Sequence, residues 1–238
     1  MSTNPFSTRM AVNLGIAISA LFIGLVPVHA MTMGEREFVC PIDGKKFMAL
    51  TAFSGTQFGM GLDLKPLGPT PAPWPLPKCP GNGFVLYKKE FSTEELDRLK
   101  SYVKGGDYQS MAKIHTNYFL AAKLKAAMGE PVSSVAITLL RATWEARSLE
   151  EYQNYASAAL ATYEQILSAI PQDLDEKLTA MLVAGELERR LGLFEKSRTR
   201  FLGIPNRTAL RSPMNEIVQL QLVLIEKMNS EPAEVPSK

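Results

Sequence analysis

The chain has 238 residues and a formal net charge of +2 at neutral pH, with 46% hydrophobic and 21% charged residues. This length suits one domain, or a small domain followed by a larger one, and it is sufficient to bury a hydrophobic core. The nearly neutral charge gives no support for broad binding of nucleic acid or of a membrane surface.

The first thirty residues are typical of a secretory signal peptide. Arg9 gives a positive start, residues 11–28 form an apolar stretch, and Val28-His29-Ala30 places small residues at a cleavage site. The alternative is an uncleaved membrane anchor, because the apolar stretch is close to the roughly 18 residues that a spanning helix needs. Pro27 and Ala30 favour cleavage. The sequence therefore predicts an exported, periplasmic bacterial protein with no stable membrane span after cleavage.

Residues 31–91 are predicted to form a small module dominated by loops. This part is rich in glycine, proline and aromatic residues, with short extended runs at 37–39 and 84–87 and a proline-dense connector over 66–77. The glycine-rich run 55–61 lacks the Lys-Ser/Thr pair of a phosphate loop. We therefore expect it to be a turn-rich hairpin.

Helical periodicity begins at Ser92, which forms a capping box with Glu95. Gly105 and Gly106 are expected to end this first helix. Further helices are predicted over residues 107–128, 133–147, 149–169, 174–191 and 194–202, and from Pro213 to Met228. The polar segment 230–238 contains two prolines and is predicted to be a disordered tail.

Small and aromatic residues recur at fixed intervals in the later helices, at Gly185, Gly192, Phe194, Ser197 and Phe201. The small residues allow two antiparallel helices to approach closely, and the aromatic residues fill the space between them. This spacing resembles a tetratricopeptide repeat. The second helix and closing proline of a preceding unit are matched by Ala159, Tyr163, Ile166 and Pro171. Because the units lack a strict period and Glu188 stands where an aromatic residue is common, we expect tetratricopeptide-like hairpins rather than a regular array.

The two cysteines of the chain lie in Cys40-Pro41-Ile42-Asp43 and Cys79-Pro80-Gly81-Asn82. Each segment looks like half of a zinc knuckle whose second thiol is replaced. Two thiols in an exported chain favour a disulfide between Cys40 and Cys79. A zinc site of Cys40, Asp43 and Cys79, with or without His115, is chemically allowed, although Asn82 is a poor ligand. Unpaired, buried or redox-active thiols are the third alternative.

The cysteine segments, together with residues 118–121, 139–144 and 185–192, carry a wider resemblance. The chain resembles a bacterial domain family of unknown function in which a CPxC…CPxCG module precedes tetratricopeptide-like helices. The resemblance implies a zinc-ribbon-like module followed by a helical scaffold, and no activity comes with it. Here the module is degenerate, because Asp43 and Asn82 replace the second cysteine of each pair.

The sequence contains no group of residues with the spacing typical of an active site. His115 is the one histidine after the signal, and no motif around a serine or cysteine marks a catalytic triad. Paired carboxylates such as Glu94 and Glu95 stand at helix starts, where they complement the helix dipole. We therefore expect no enzymatic activity and no cofactor.

One local cluster of basic residues comprises Arg189, Arg190, Lys196, Arg198, Arg200, Arg207 and Arg211. It is either a solvated face or a groove for an acidic peptide or a polyanionic envelope component. We take Arg189, Arg190, Lys196, Arg198 and Arg200 as candidate partner-binding residues.

The sequence thus predicts a mainly α fold, with tetratricopeptide-like helical hairpins over 92–229 after a small, β-containing, degenerate zinc-ribbon-like module over 31–91. The expected function is an exported, non-enzymatic scaffold that presents a helical-repeat surface to a protein or peptide partner in the cell envelope. The alternative is a metal-binding or thiol-redox envelope protein that uses Cys40, Asp43 and Cys79, with zinc as the cofactor.

Overall fold

A computed structural model describes residues 31–169, 173–205 and 209–236. The predicted signal at 1–30, the predicted closing residue Pro171 and the basic residue Arg207 lie outside these ranges. Within them the protein is mainly helical, with a small antiparallel sheet near the start, so the coarse fold prediction is confirmed. None of the helices in these ranges has the length and apolar character of a membrane span.

The N-terminal module contains two small antiparallel sheets. Strand β1 (Met31–Val39) pairs with β2 (Lys46–Gly55), and β3 (Gly59–Met60) pairs with β4 (Pro66–Leu67). The segment 84–87 was predicted to be extended, and its one bridge joins Val85 to Lys78. Lys78 directly follows Pro77, which has no N–H group to extend such a ladder.

Eight helices follow within the described residues. They are α1 (Thr93–Lys104), α2 (Gly106–Ile114), α3 (Asn117–Ala127), α4 (Val132–Trp144), α5 (Leu149–Ser168), α6 (Leu174–Arg190), α7 (Phe194–Leu202) and α8 (Met214–Glu226). The capping box is confirmed, because the Ser92 hydroxyl accepts from the Glu95 amide and the Glu95 carboxylate accepts from the Ser92 amide.

The single helix predicted over 107–128 is wrong, because the chain breaks between α2 and α3. His115 and Thr116 are extended there. The amide of Thr116 donates to the Tyr155 hydroxyl at 3.0 Å, and the amide of Tyr118 donates to the Glu145 carboxylate at 2.8 Å. Side chains from distant helices thus satisfy the amide groups that a continuous helix would have used.

The N-terminal module and the helices share a hydrophobic core. Cys40, Cys79 and Phe84 of the module pack in one buried cluster with Leu99 of α1 and Leu120 of α3. A second cluster spans α3 to α6, and a third joins α7 to α8. The predicted boundary at residues 91 and 92 therefore does not separate two cores.

Helices α6 and α7 approach each other at the glycine that the repeat signature singled out. A Cβ atom on Gly185 would lie 2.6 Å from the ring of Phe201, which is fully buried. The Ser197 hydroxyl donates to the Gly185 carbonyl at 2.8 Å. The absence of a side chain at residue 185 thus allows this helix pair to form.

The predicted disordered tail over 230–238 is wrong for residues 230–236, which lie on the N-terminal module. The amide of Leu62 donates to the Ala233 carbonyl, and the amide of Val235 donates to the Met60 carbonyl, each at 2.8 Å. Glu234 forms a bridge with Gly61. The last described residues are therefore joined to the N-terminal module by backbone hydrogen bonds, which composition alone does not reveal.

We predict that Gly185→Ala lowers the free energy of unfolding by about 1 to 3 kcal/mol, because the added methyl group forces Phe201 out of its packed position. Urea denaturation measures the change. Gly106→Ala is the matched control, since a Cβ atom there has no neighbour within 4 Å. Equal stability of the Gly185→Ala protein and the wild type would contradict the close approach.

Candidate functional site

Both cysteines begin turns of nearly the same geometry. In the first turn, the Cys40 amide donates to the Lys45 carbonyl at 2.9 Å and the Gly44 amide donates to the Cys40 carbonyl at 2.8 Å. The equivalent bonds of the second turn, from Cys79 to Phe84 and from Gly83 to Cys79, measure 2.8 and 2.9 Å. Gly44 and Gly83 both have a positive φ, of 73° and 72°, which favours glycine.

The residues that replace the second thiols complete these turns. Asp43 accepts a hydrogen bond from the Lys45 amide at 3.1 Å, and Asn82 accepts one from the Phe84 amide at 2.9 Å. The Asn82 side-chain amide also donates across to the Asp43 carboxylate at 3.2 Å and to the Cys40 sulfur at 3.3 Å. Asp43 and Asn82 therefore stabilise the paired turns by hydrogen bonding.

Cys40 and Cys79 are joined as a disulfide, with Cα atoms 5.7 Å apart, and both residues are almost fully buried. The described residues contain no group of three or more histidine, cysteine or acidic side chains arranged to hold a metal ion. His115 packs on Phe119 and Tyr155 instead, and burial lowers its pKa. The predicted zinc ligands Cys40, Asp43, Cys79 and His115 are thus not assembled as a set.

We predict that replacing both cysteines by alanine lowers the free energy of unfolding by about 4 kcal/mol, because the bond closes a loop between residues 39 positions apart. Urea denaturation measures this loss. A reducing agent should destabilise the wild type similarly and leave the double variant unchanged. Two free thiols per chain in protein purified without reductant would contradict the disulfide.

The structure corrects the assignment of Arg189 as a partner-binding residue. Its side chain is completely buried, and its guanidinium pairs with the Glu186 carboxylate at 2.8 and 3.0 Å. It also donates to the Gln221 side chain at 3.0 Å and to the carbonyls of Asn229 and Glu231 at 2.5 and 3.0 Å. Arg189 is therefore an internal link between α6, α8 and the tail.

Arg200 is likewise engaged inside the protein. It donates to both oxygens of the Glu188 carboxylate, at 2.7 and 2.8 Å, and also pairs with Glu164 of α5. Glu188 is only 2% exposed. Glu188, which stands where an aromatic residue is common, thus joins α6 to α7 by a partly buried ion pair.

The remaining basic candidates lie in two other places. Arg190 is half-buried, with its guanidinium 4.7 Å from the centre of the Tyr152 ring. Lys196 and Arg198 of α7 are exposed. The five predicted partner-binding residues consequently do not form one surface.

Lys196 and Arg198 line a groove of about 890 Å³ between α7 and α8. Its apolar residues include Leu193, Leu202, Leu222, Val223 and Met228. Leu202 and Val223 are each 45% exposed, and Met228 is 73% exposed. We name this groove, including its basic residues Lys196 and Arg198, the α7–α8 groove.

The sequence interpretation missed the contribution of α8 to this groove. The helix buries Ile217, Val218 and Ile225, yet it also carries Val223 on the opposite side, where this side chain is 45% exposed. A helix that is apolar beyond one face usually meets neighbours on more than one side. An apolar residue outside the buried face of α8 was therefore the sequence signal that indicated a second contact surface.

The buried pair of Glu186 and Arg189 generates a pH-dependent prediction. Burial raises the pKa of Glu186, while Arg189 and Gln221 act in the opposite direction. Arg189→Met leaves this carboxylate buried without its cation, so we expect a loss of about 3 to 5 kcal/mol in unfolding free energy at pH 8.

The loss should be smaller at pH 5, where the folded variant binds a proton at Glu186. A raised folded-state pKa makes stability fall as pH increases between the unfolded and folded pKa values. Urea titrations at both pH values measure this difference, and Glu186→Gln in the Arg189→Met background should remove it. A loss that is equal at the two pH values would contradict the assignment.

Residues 85–222 match a protein family described as an uncharacterized protein conserved in bacteria (DUF2225). The match contains α1 to α7 and most of α8, and it begins after both cysteine turns. No curated protein and no solved structure matches the chain.

Proposed function

Since the chain belongs to this uncharacterized bacterial family, DUF2225, we propose its function from its own geometry: a non-enzymatic protein that binds a protein partner in the cell envelope. The predicted resemblance to a bacterial family of unknown function is confirmed by the match. The zinc-ribbon part of that resemblance stays a prediction, because the matched residues do not include the cysteine turns.

The observation that carries the proposal is the α7–α8 groove. Its exposed leucine, valine and methionine side chains form an apolar strip, and apolar grooves between helices commonly take an amphipathic helix or an extended peptide. Lys196 and Arg198 make no ion pair with any residue that the structure describes. Glu195 and Glu226 line the same groove, so its formal charges cancel. The partner segment we propose is therefore apolar on one side and carries both acidic and basic residues beside that side.

The close packing of Gly185 against Phe201 supports tetratricopeptide-like hairpins as the scaffold for this groove. Helical hairpins of that kind stack side by side and present extended binding surfaces. In this chain α7 and α8 form the last described pair, and the groove is the side of that pair that no further described helix covers.

The buried disulfide supports an exported location, because such bonds persist in oxidising compartments such as the periplasm. The signal peptide predicted at residues 1–30 indicates the same compartment. We therefore place the proposed partner in the cell envelope.

We predict that a photo-crosslinking amino acid at Leu202 or at Val223 captures the same discrete partner in living cells, because both side chains lie exposed in the groove. Gel electrophoresis and mass spectrometry identify the adduct. Reversing the charge of Lys196 and Arg198 to glutamate should remove it.

Ser101, an exposed residue of α1, is the matched control position and should give no such adduct. Failure of both groove positions to capture a protein would contradict the proposal. Identical adducts from Ser101 and from the groove would contradict it equally, since the capture would not depend on the groove.

A further inference from the structure

The hairpin of β1 and β2 is the least covered part of the described structure. None of the residues in either strand is buried, and no backbone hydrogen bond joins these strands to another described element. Phe47 holds the base of the hairpin by packing against the buried cluster that contains Cys40 and Cys79. An isolated two-stranded hairpin is marginally stable in water, and additional strands or a helix usually cover it. The outer edges of β1 and β2 are therefore available to another chain.

The two strands differ in charge. β1 carries Glu35, Arg36 and Glu37 at its centre, whereas β2 carries no charge after Lys46 at its start. Charged side chains and prolines protect an edge strand from pairing with another chain. Since β2 has neither over residues 47–55, the sequence of β1 suits an outer strand and that of β2 suits an inner strand.

The exposed face of the hairpin shows the same asymmetry. Glu37 lies opposite Met48, and Glu35 lies opposite Leu50, in the register of the two strands. Residues that lie opposite each other in an antiparallel pair share a face, so these four side chains lie on one side of the sheet. Met48 is 56% exposed and Leu50 is 52% exposed. The two apolar side chains belong to the strand that lacks protecting charges.

The partner that matches this edge is a second copy of the same chain. We propose that β2 pairs antiparallel with β2 of a second copy, so that the two hairpins form one four-stranded sheet. Such a twofold contact uses the same edge twice and must be self-complementary. A register centred on Ala49 places Met48 of each copy opposite Leu50 of the other, and each Lys46 opposite Ala52. No like charges meet in this register, and the charged β1 strands become the outer strands of the sheet.

Pairing through β1 is not self-complementary. A twofold register centred on Arg36 would place this arginine opposite itself and Glu35 opposite Glu37 of the other copy. A register centred on Glu35 or on Glu37 would place that glutamate opposite itself. Like charges directly opposite each other destabilise a strand pair. The proposed contact therefore uses β2, and it lies in the N-terminal module, apart from the α7–α8 groove.

Sedimentation velocity of the protein purified after export tests the proposal over a range of concentrations. The expected result is a monomer–dimer equilibrium with a Kd below about 10 μM.

A double variant, Met48→Lys with Leu50→Lys, separates the dimer contact from the fold of the hairpin. Within one chain each introduced lysine lies opposite Glu37 or Glu35, and opposite charges across a strand pair are favourable. Between two copies the lysines would meet each other, so the dimer Kd should rise at least tenfold, which corresponds to about 1.4 kcal/mol. Ile114→Lys, at an exposed apolar residue of α2, is the control and should leave the Kd unchanged.

Oxidative crosslinking locates the contact. In the proposed register Ala49 lies on the twofold axis, so Ala49→Cys should give a disulfide-linked dimer on a non-reducing gel. Arg36→Cys is the matched control, because Arg36 lies opposite Ala49 on β1. The two β1 strands would be three strand spacings apart, about 14 Å, which is too far for a disulfide.

The proposal is overturned if the wild type remains monomeric up to about 100 μM, ten times the highest Kd expected. It is also overturned if the double lysine variant dimerises with the wild-type Kd, or if Ala49→Cys and Arg36→Cys crosslink equally. The photo-crosslinking result at Leu202 and Val223 does not depend on β2, so the two proposals fail separately.

Discussion

The buried guanidinium of Arg189 is the interaction on which the arrangement of the chain depends. It is fully buried, and its acceptors come from Glu186 on the same helix, Gln221 on α8, and the carbonyls of Asn229 and Glu231, at the start of the tail. Separating any of these groups would leave a charge or a polar group in a dry environment, which costs several kcal/mol. The position of the tail is therefore fixed by a residue of α6.

The position of the tail also affects the N-terminal module. Residues 233 and 235 exchange backbone hydrogen bonds with Leu62 and Met60 of the N-terminal module, which the Cys40–Cys79 bond holds together. Pro232, Ala233 and Glu234 in turn line a pocket together with Arg190. Two neighbouring arginines thus have different surroundings, since Arg189 binds the tail backbone while Arg190 lines a pocket beside the tail.

Features that depend on nearby residues could be predicted from the sequence. The capping box at Ser92 involves residues three positions apart, and the contact of Gly185 with Phe201 follows from the repeat spacing of one helix pair. The break after α2, by contrast, depends on Tyr155, 39 positions beyond Thr116. The burial of Arg189 depends on Asn229, 40 positions away. No local sequence pattern shows such distant partners. For this reason Arg189 was wrongly predicted to lie on the surface, and residues 230–236 were wrongly predicted to be disordered.

Hydrogen exchange measured by NMR at single amides tests most directly whether Arg189 holds the tail on the module. The Glu186→Gln and Arg189→Met double variant is compared with Arg198→Met, so that no carboxylate is left buried without its cation. We predict that the double variant lowers the protection of the Leu62 and Val235 amides at least tenfold, while the Cys79 amide inside its turn stays protected. Unchanged protection of Leu62 and Val235 in the double variant would contradict the account.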